Sequence, residues 1–191
     1  MHQARNNLLS RQRPLFLLAF SICVALMAAA LTMQYALKLD PCPLCVLQRV
    51  LVIALAGVFL VAAVHNPGLV GRRVYGILIV LLGALGIAVA GRHVWLQNLP
   101  ADQVPECGPG LEYLLDAFPL TEALSLVFRG SGECADVQWM FLGLTIPGWT
   151  LVIFTVFTLA GLILIATRLA MPDSAGQGGS SLNAPPAPGT R

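Results

Sequence analysis

Charged residues are scarce in this chain. They make up 10% of its 191 residues, whereas an ordinary soluble domain carries about a quarter. Hydrophobic residues account for 57%, and the net charge is only +2. This composition excludes an ordinary soluble domain, and so small a net charge gives no reason to expect a nucleic-acid partner. The composition therefore predicts a membrane protein.

Four apolar runs approach the length of about 20 residues that a spanning helix needs. They cover residues 15–35, 46–64, 74–90 and 146–166. The third run is the shortest, and we expect its helix to continue past its charged end. The predicted fold class is an all-α membrane protein, a four-transmembrane-helix bundle. The first run is alternatively a signal peptide, although its apolar stretch is longer than that of a typical signal.

Basic residues divide unevenly between the two faces of the predicted bundle. Loops rich in Lys and Arg are retained in the cytoplasm. One face carries seven basic residues and one acid, and the other carries four basic residues and eight acids. Both termini are therefore predicted to be cytoplasmic, with the loops at about 36–45 and 92–145 facing outward. The residues of the first face are Arg5, Arg11, Arg13, Arg72, Arg73, Arg168, Arg191 and Asp173.

The predicted organisation has three parts. Residues 1–14 form a cytoplasmic N-terminus, residues 15–168 form the transmembrane domain, and residues 169–191 form a disordered cytoplasmic tail rich in Gly, Ser, Pro and Ala. Within the long second outer loop, residues 111–128 have apolar side chains at helical spacing on both sides of Pro119. They predict a short interrupted amphipathic helix, which lies either in the membrane interface or against the outer ends of the bundle.

Three tryptophans fall at the outer ends of spans three and four. Trp prefers the boundary between water and lipid. Trp95, Trp139 and Trp149 are therefore predicted to anchor the bundle, with no chemical role.

Four of the five cysteines lie in the predicted outer loops: Cys42, Cys45, Cys107 and Cys134. In an oxidising compartment four such cysteines favour two disulfides. A disulfide within the sequence CPLC closes too short a loop to stabilise the fold appreciably, so its spacing favours redox chemistry. A zinc site made of all four thiols is the alternative, but a second close-spaced pair is missing and no metal is expected. Cys23, inside the first span, is expected to act as a small apolar residue.

Polar residues next to the CPLC pair are candidates for binding an electron acceptor. Arg49 follows Cys45 by one helical turn, so the two share a face, and the helix N-terminus and the guanidinium both favour a thiolate there. The alternative for Arg49 is an anchor whose charged head reaches the lipid headgroups. His93 and Gln97 lie one turn apart at the outer end of span three, where a histidine is more often an ordinary interfacial residue.

Cys107 and Cys134 are flanked by the flexible sequences CGPG and SGEC. A disulfide between them is either a simple staple or one presented to a macromolecular thiol. The residues alone leave both readings open.

Several motifs together resemble the DsbB family of bacterial disulfide bond formation proteins. They are CPLC followed by QR, GRHVWLQ at 91–97, the lone Cys107, and SGECADVQWMFLGLTIPGW at 131–149. The resemblance covers about residues 14–168. It implies a multi-pass enzyme of the bacterial inner membrane, a protein-disulfide oxidoreductase whose cysteines face the periplasm. Such an enzyme reoxidises a periplasmic DsbA-type thiol oxidase and passes the electrons to ubiquinone or menaquinone.

The resemblance also implies roles for individual residues. Cys107 corresponds to the cysteine that the partner's thiolate attacks, with Cys134 as its companion. Cys42 and Cys45 correspond to the pair that regenerates that disulfide, and Cys45 is the one beside the quinone. The residues that the resemblance assigns to the surroundings of the quinone head group are Arg49, His93 and Gln97.

Two alternative functions are considered. A vitamin K epoxide reductase-like enzyme is also a quinone-linked helical bundle, but that family places its loop cysteines before the close-spaced pair, whereas here CPLC comes first. A non-enzymatic membrane protein with structural outer disulfides is the second alternative. It predicts that replacing Cys42 or Cys45 by Ser leaves periplasmic disulfide formation unchanged.

Overall fold

Long helices dominate the structure, which is a computed structural model that describes residues 2–100, 102–105, 113, 116–137 and 139–166. Four of the helices are long and apolar enough to cross a membrane. The predicted all-α, four-helix membrane fold is thus confirmed. The elements are α1 (His2–Ala36), α2 (Pro43–His65), α3 (Leu69–Gln97), α4 (Leu120–Arg129), α5 (Gly132–Ala135), β1 (Met140–Phe141), β2 (Leu144–Thr145) and α6 (Ile146–Ala166).

The helix bounds differ from the predicted apolar runs mainly at α3. Helix α6 begins at the predicted Ile146 and reaches Ala166, the last described residue. Helix α3 begins before the predicted 74–90 and, as expected, continues past its charged end. Basic residues at both ends of that run resemble boundaries in the sequence. They remain helical because long basic side chains can extend to the interface from inside a helix. Helix α1 likewise begins at His2, within the segment predicted only as a cytoplasmic N-terminus.

The spanning helices pack in chain order, α1 on α2, α2 on α3, and α3 on α6. Phe59 of α2 meets Phe157 of α6 edge-on with ring centroids 5.0 Å apart. Glycines bring α3 and α6 close together. A Cβ atom at Gly86 would overlap the ring of Phe154, and one at Gly161 would lie 3.1 Å from the carbonyl oxygen of Gly76. Small residues at such contacts let helix backbones approach in lipid, where the hydrophobic effect does not drive association.

The turn between α2 and α3 forms an antiparallel hairpin. Asn66 ends α2 in the left-handed conformation and donates its backbone N–H to the carbonyl of Ala62 at 3.1 Å. Pro67 cannot continue the helix, and α3 starts after Gly68. The two helices therefore reverse direction within a few residues.

Helices α4 and α5 cover the outer ends of the bundle. Val127 of α4 lies in a buried cluster with Leu44 of α2 and Leu96 of α3. Arg92 donates to the carbonyls of Phe128 and Arg129, which fastens the end of α4 to α3. This half of the predicted amphipathic segment is helical and packs on the bundle. Its first half lies largely outside the described residues.

A short hairpin, β1 and β2, precedes α6. Its register pairs Met140 with Thr145 and Phe141 with Leu144, and both turn residues have positive φ. The indole of Trp149 donates to the carbonyl of Phe141 at 3.1 Å, which ties the hairpin to α6. Strands of two residues carry no readable alternation, so this hairpin was not predicted.

Candidate redox site

Cys42 is the N-cap of α2. Its backbone is extended, and its sulfur accepts the backbone N–H of Cys45 at 3.3 Å. Pro43 occupies the first helical position, where a missing N–H is harmless. The two sulfurs lie 3.0 Å apart, and the Cys42 thiol donates to Cys45. The sequence CPLC therefore starts a helix and brings two thiols into contact.

Cys134 lies beside Cys42, although the two are far apart in the chain. It is fully buried in α5, and its thiol is hydrogen-bonded to that of Cys42. Helix α5 packs against α3, and Arg92 holds the end of the preceding helix. The structure thus brings together three of the four predicted outer cysteines. The fourth, Cys107, lies outside the described residues.

Among the described residues, two thiols lie outside the spanning helices, those of Cys42 and Cys134, and both are held in their protonated form. For Cys42, the hydrogen bond from Cys134 lowers the pKa, but the hydrogen bond to Cys45 and burial together outweigh it and raise the pKa to about 12. For Cys134, the hydrogen bond to Cys42 and burial raise the pKa above its usual range. In the fully reduced cluster these two sulfurs are therefore poor nucleophiles until a neighbouring sulfur is oxidised.

A polar chain runs behind the cysteines. His93, only 2% exposed, has its Nε2 atom 3.7 Å from the sulfur of Cys42 and its Nδ1 atom 3.1 Å from Nε2 of Gln48. Thr150 donates to Oε1 of Gln48 at 2.6 Å. With the amide in this orientation Gln48 donates to Nδ1, so the imidazole proton lies on Nε2 and points towards Cys42.

Cys45 lines two separate cavities. The large cavity, of about 330 Å³, lies where α1 and α6 face one another across α2, and the hairpin covers its outer end. The small cavity, of about 30 Å³, lies among α2, α3 and α5 and is lined by Cys42, Cys45 and His93. One sulfur is thus accessible from two compartments of different size and polarity.

The large cavity is apolar apart from a few polar side chains on α2 and α6 and Asp40 in the loop before α2. Arg49 lines it and donates to Oε1 of Gln34 and to the carbonyl of Ala30, both on α1. Trp139 and Trp149 also line it. The two tryptophans therefore border a cavity in addition to the anchoring role expected of them. A cavity of this size with few polar groups is typical of a small-molecule site.

The predicted acceptor-binding residues divide between the two cavities. Arg49 lines the large one, whereas His93 and Gln97 line the small one, on the other side of Cys45. The structure therefore brings Arg49 and Cys45 together at the large cavity and does not bring His93 or Gln97 there. Cys23 is buried in the apolar core, in agreement with its expected role.

Three further site residues were not found from the sequence: Gln34, Gln48 and Thr150. Each is a polar residue inside an apolar spanning helix, and such residues usually face the bundle interior or a cavity. That signal was available in the sequence. The sequence did not show which partner each of these residues contacts, because the contacts join different helices.

Comparisons with known proteins agree with this geometry. The family model described as "Disulfide bond formation protein DsbB" matches residues 12–164. A protein of Nitrosococcus oceani named "Disulfide bond formation protein B" is 62% identical over 142 residues, which cover 74% of this chain and 84% of that protein. A protein of the same name from Saccharophagus degradans is 56% identical over 78% of this chain and 87% of its own length. One from Chromobacterium violaceum is 49% identical over 85% of this chain and 96% of its own.

Proposed function

The chain belongs to the DsbB family of disulfide bond formation proteins, and we propose that it reoxidises a periplasmic DsbA-type thiol oxidase and passes the electrons to a membrane quinone. The family makes it a disulfide oxidoreductase of the membrane. The quinone, the partner and the orientation of the cysteines belong to the proposal. The observation that carries it is the position of Cys45, which lies beside a second thiol and also lines the large apolar cavity.

The large cavity fits a quinone head group. Its volume of about 330 Å³ lies at the lower end of the range for small-molecule sites, about 300 to 1,000 Å³. Aromatic and aliphatic side chains offer apolar surface to a ring, and Arg49 offers hydrogen bonds to a carbonyl oxygen. A bound quinone would supply the oxidant, accepting two electrons and two protons. Ubiquinone and menaquinone both have such a head group.

The contact between Cys134 and Cys42 supports a relay of thiol exchange. In the proposed first step the partner's thiolate attacks Cys107 of a Cys107–Cys134 disulfide, and Cys134 leaves as a thiolate. Cys134 then attacks Cys42 of the Cys42–Cys45 disulfide, and Cys45 leaves as a thiolate. Each step breaks one S–S bond and forms one.

The relay closes when the partner's second thiol releases Cys107, which attacks Cys134 and frees Cys42. The partner then leaves oxidised, the Cys107–Cys134 disulfide is restored, and Cys42 and Cys45 hold the two electrons. Two donors surround the sulfur of Cys42 as it leaves: the N–H of Cys45 and Nε2–H of His93. They stabilise the thiolate without moving.

Arg49 is proposed to act on the other side of Cys45. It lines the same cavity, so its positive charge favours the Cys45 thiolate and the negative charge that develops on the acceptor's oxygen. The orientation of the bundle completes the proposal. The uneven division of basic residues in the sequence supports cysteines on the periplasmic side, where the partner is found.

Quinone reduction by the purified protein tests the proposal. In lipid nanodiscs, with a reduced DsbA-type partner and added ubiquinone or menaquinone, the wild type should reduce quinone and oxidise the partner in equal amounts. Cys45→Ser should stop both reactions. Cys23→Ala is the matched control, because Cys23 is buried in the core away from the site, and it should retain turnover. Normal turnover in Cys45→Ser would refute the proposal.

A further inference from the structure

The small cavity has the dimensions of a site for a single ion. Its volume of about 30 Å³ exceeds the roughly 10 to 15 Å³ that one water molecule requires, so there is room for an ion. Its walls include both sulfurs of the CPLC pair and the ring of His93. Glu133 and Asp136 also line it and are solvent-exposed, so the approach from water carries negative charge. None of these features is needed to bind an apolar electron acceptor.

We propose that the reduced protein binds one thiophilic divalent cation of the Zn²⁺ type in this cavity, through Cys42 Sγ, Cys45 Sγ and His93 Nε2. The three ligand atoms all lie within 4.8 Å of one another. Tetrahedral zinc, with Zn–S near 2.3 Å and Zn–N near 2.0 Å, sets its ligand atoms about 3.5 to 3.8 Å apart.

Two of the three ligand-atom separations lie close to that geometry. The separation of Cys42 Sγ and His93 Nε2 is already 3.7 Å. The two sulfurs, now 3.0 Å apart, need to separate by roughly 0.8 Å, which a small side-chain rotation supplies. Three protein ligands leave the fourth position to water, as in zinc sites that exchange ligands. This site differs from the four-thiol structural zinc site considered from the sequence, because it uses a histidine and two thiols.

Gln48 can hold the histidine in the tautomer that a metal requires. A ligating Nε2 carries no proton, so Nδ1 must carry it and donate to an acceptor. Rotating the Gln48 amide by half a turn places Oε1 against Nδ1 and turns the NH₂ group towards Thr150. Thr150 can then accept this bond, because its own hydroxyl also donates to the carbonyl of Pro147 at 3.0 Å. One amide rotation therefore exchanges the two tautomers without leaving a polar group unpaired.

Binding is balanced in protons and transfers no electrons. The cation replaces the two thiol protons, which leave to water, and forms two metal–sulfur bonds and one metal–nitrogen bond. When Cys42 and Cys45 are joined in a disulfide, neither sulfur is a thiolate, so the oxidised protein offers no such site. The cation thus selects the reduced state. While Cys45 is a metal ligand it cannot pass electrons on, so the cation inhibits turnover. This inhibition rests on the proposed function, whereas the binding of the cation does not.

Cobalt binding tests the site without partner or quinone. Co²⁺ is added anaerobically to the full-length protein in detergent after reduction and removal of the reductant. The reduced protein should show one equivalent of tetrahedral, thiolate-ligated Co²⁺ by absorption, and Zn²⁺ should displace it. Protein oxidised at its cysteines should show none. The proposal would be overturned if both redox states bound Co²⁺ equally, or if the reduced protein showed no thiolate-ligated cobalt. Both measurements use the wild-type protein, so neither depends on the folding of a variant.

Two variants assign the ligands. His93→Ala should weaken Co²⁺ binding by at least about tenfold, since even the loss of an outer partner costs that much. The matched control is His65→Ala at the far end of α2, where the described contacts of the ring are with the hydroxyl and the ring of Tyr75, and it should bind as the wild type does. Equal affinities in these two variants would overturn the assignment of His93.

A variant that binds Co²⁺ more tightly than the wild type would show that residue 48 acts on the metal ligand His93 and not only on the stability of the fold. A carboxylate at position 48 can only accept from Nδ1–H, so Gln48→Glu should tighten Co²⁺ binding by about tenfold. Unchanged or weaker binding by a Gln48→Glu protein that elutes as the wild type does would contradict the role given to the amide. Quinone turnover is measured separately. A protein that turns over normally but binds no cobalt would refute this inference alone, and one that binds cobalt but never reduces quinone would refute the proposed function alone.

Discussion

Replacing Arg49 by Ala should raise the apparent KM for quinone far more than the apparent KM for the protein partner. Arg49 lines the large cavity together with Cys45, and its guanidinium is fixed by two acceptors on α1. Those contacts use two of its five N–H donors. The guanidinium is therefore held in position before a ligand arrives, so little ordering has to occur on binding.

The size of the effect follows from one lost hydrogen bond. A hydrogen bond to a charged group contributes about 1.5 to 3 kcal/mol. That corresponds to about a 10- to 150-fold rise in the apparent KM for quinone. Arg49→Lys keeps the charge but loses the planar fork that matches two acceptors at once, so it should fall between Ala and the wild type.

Gln34→Ala is the matched control, because it removes one acceptor that fixes the guanidinium and leaves the charge in place. Its effect on the apparent KM for quinone should be below about tenfold, since a neutral partner contributes about 0.5 to 1.5 kcal/mol. The assay is the initial rate of quinone reduction in nanodiscs at fixed lipid content, with partner and quinone varied in turn. An Arg49→Ala protein with an unchanged KM for quinone, or one no worse than Gln34→Ala, would refute the reasoning.

Three other measurements test the cluster and the packing. Because the pKa of Cys42 is raised to about 12 in the reduced protein, its alkylation rate should keep rising about tenfold per pH unit above pH 9; a plateau near pH 9 in a site-resolved mass spectrum would contradict this. Gly86→Ala should destabilise the bundle by about 1 to 3 kcal/mol, because the new Cβ overlaps Phe154. The control Gly57→Ala has open space, so it should leave the unfolding temperature in detergent unchanged or higher. Arg92→Ala should detach the end of α4 and slow the exchange between the two cysteine pairs, as followed by trapping the thiols with acid; an unchanged exchange rate would exclude this tether.

Much of the fold follows from residue patterns that act over short distances. Apolar runs gave the four spanning helices, and α6 begins at the predicted residue, Ile146. Helix α2 begins at Pro43, three residues before the predicted run 46–64, because proline suits the first helical position. Helix α3 continues past its charged end as expected, and Arg92 there is helical and bonded to α4. Its earlier start was missed because basic residues near that end look like a boundary.

The site was only partly accessible, for a different reason. The spacing of Cys42 and Cys45 indicated redox chemistry, but the contact of Cys134 with Cys42 depends on how a long loop folds back on the bundle. Similarly, Gln48 meets His93 and Thr150 through the relative rotation of three helices. Periodicity fixes which face of a helix is apolar, and it does not fix which residue of a neighbouring helix stands opposite.

The large cavity lies between α1 and α6, two helices that are each long and apolar enough to cross a bilayer. This position determines which concentration of the proposed quinone governs binding. A molecule with an isoprenoid tail can slide in sideways while its tail stays among the acyl chains, so it is never extracted into water. Occupancy then depends on the mole fraction of that molecule within the lipid phase and not on its bulk molarity. Diluting the lipid with more detergent at constant total quinone should lower turnover, although nothing in the aqueous solution has changed.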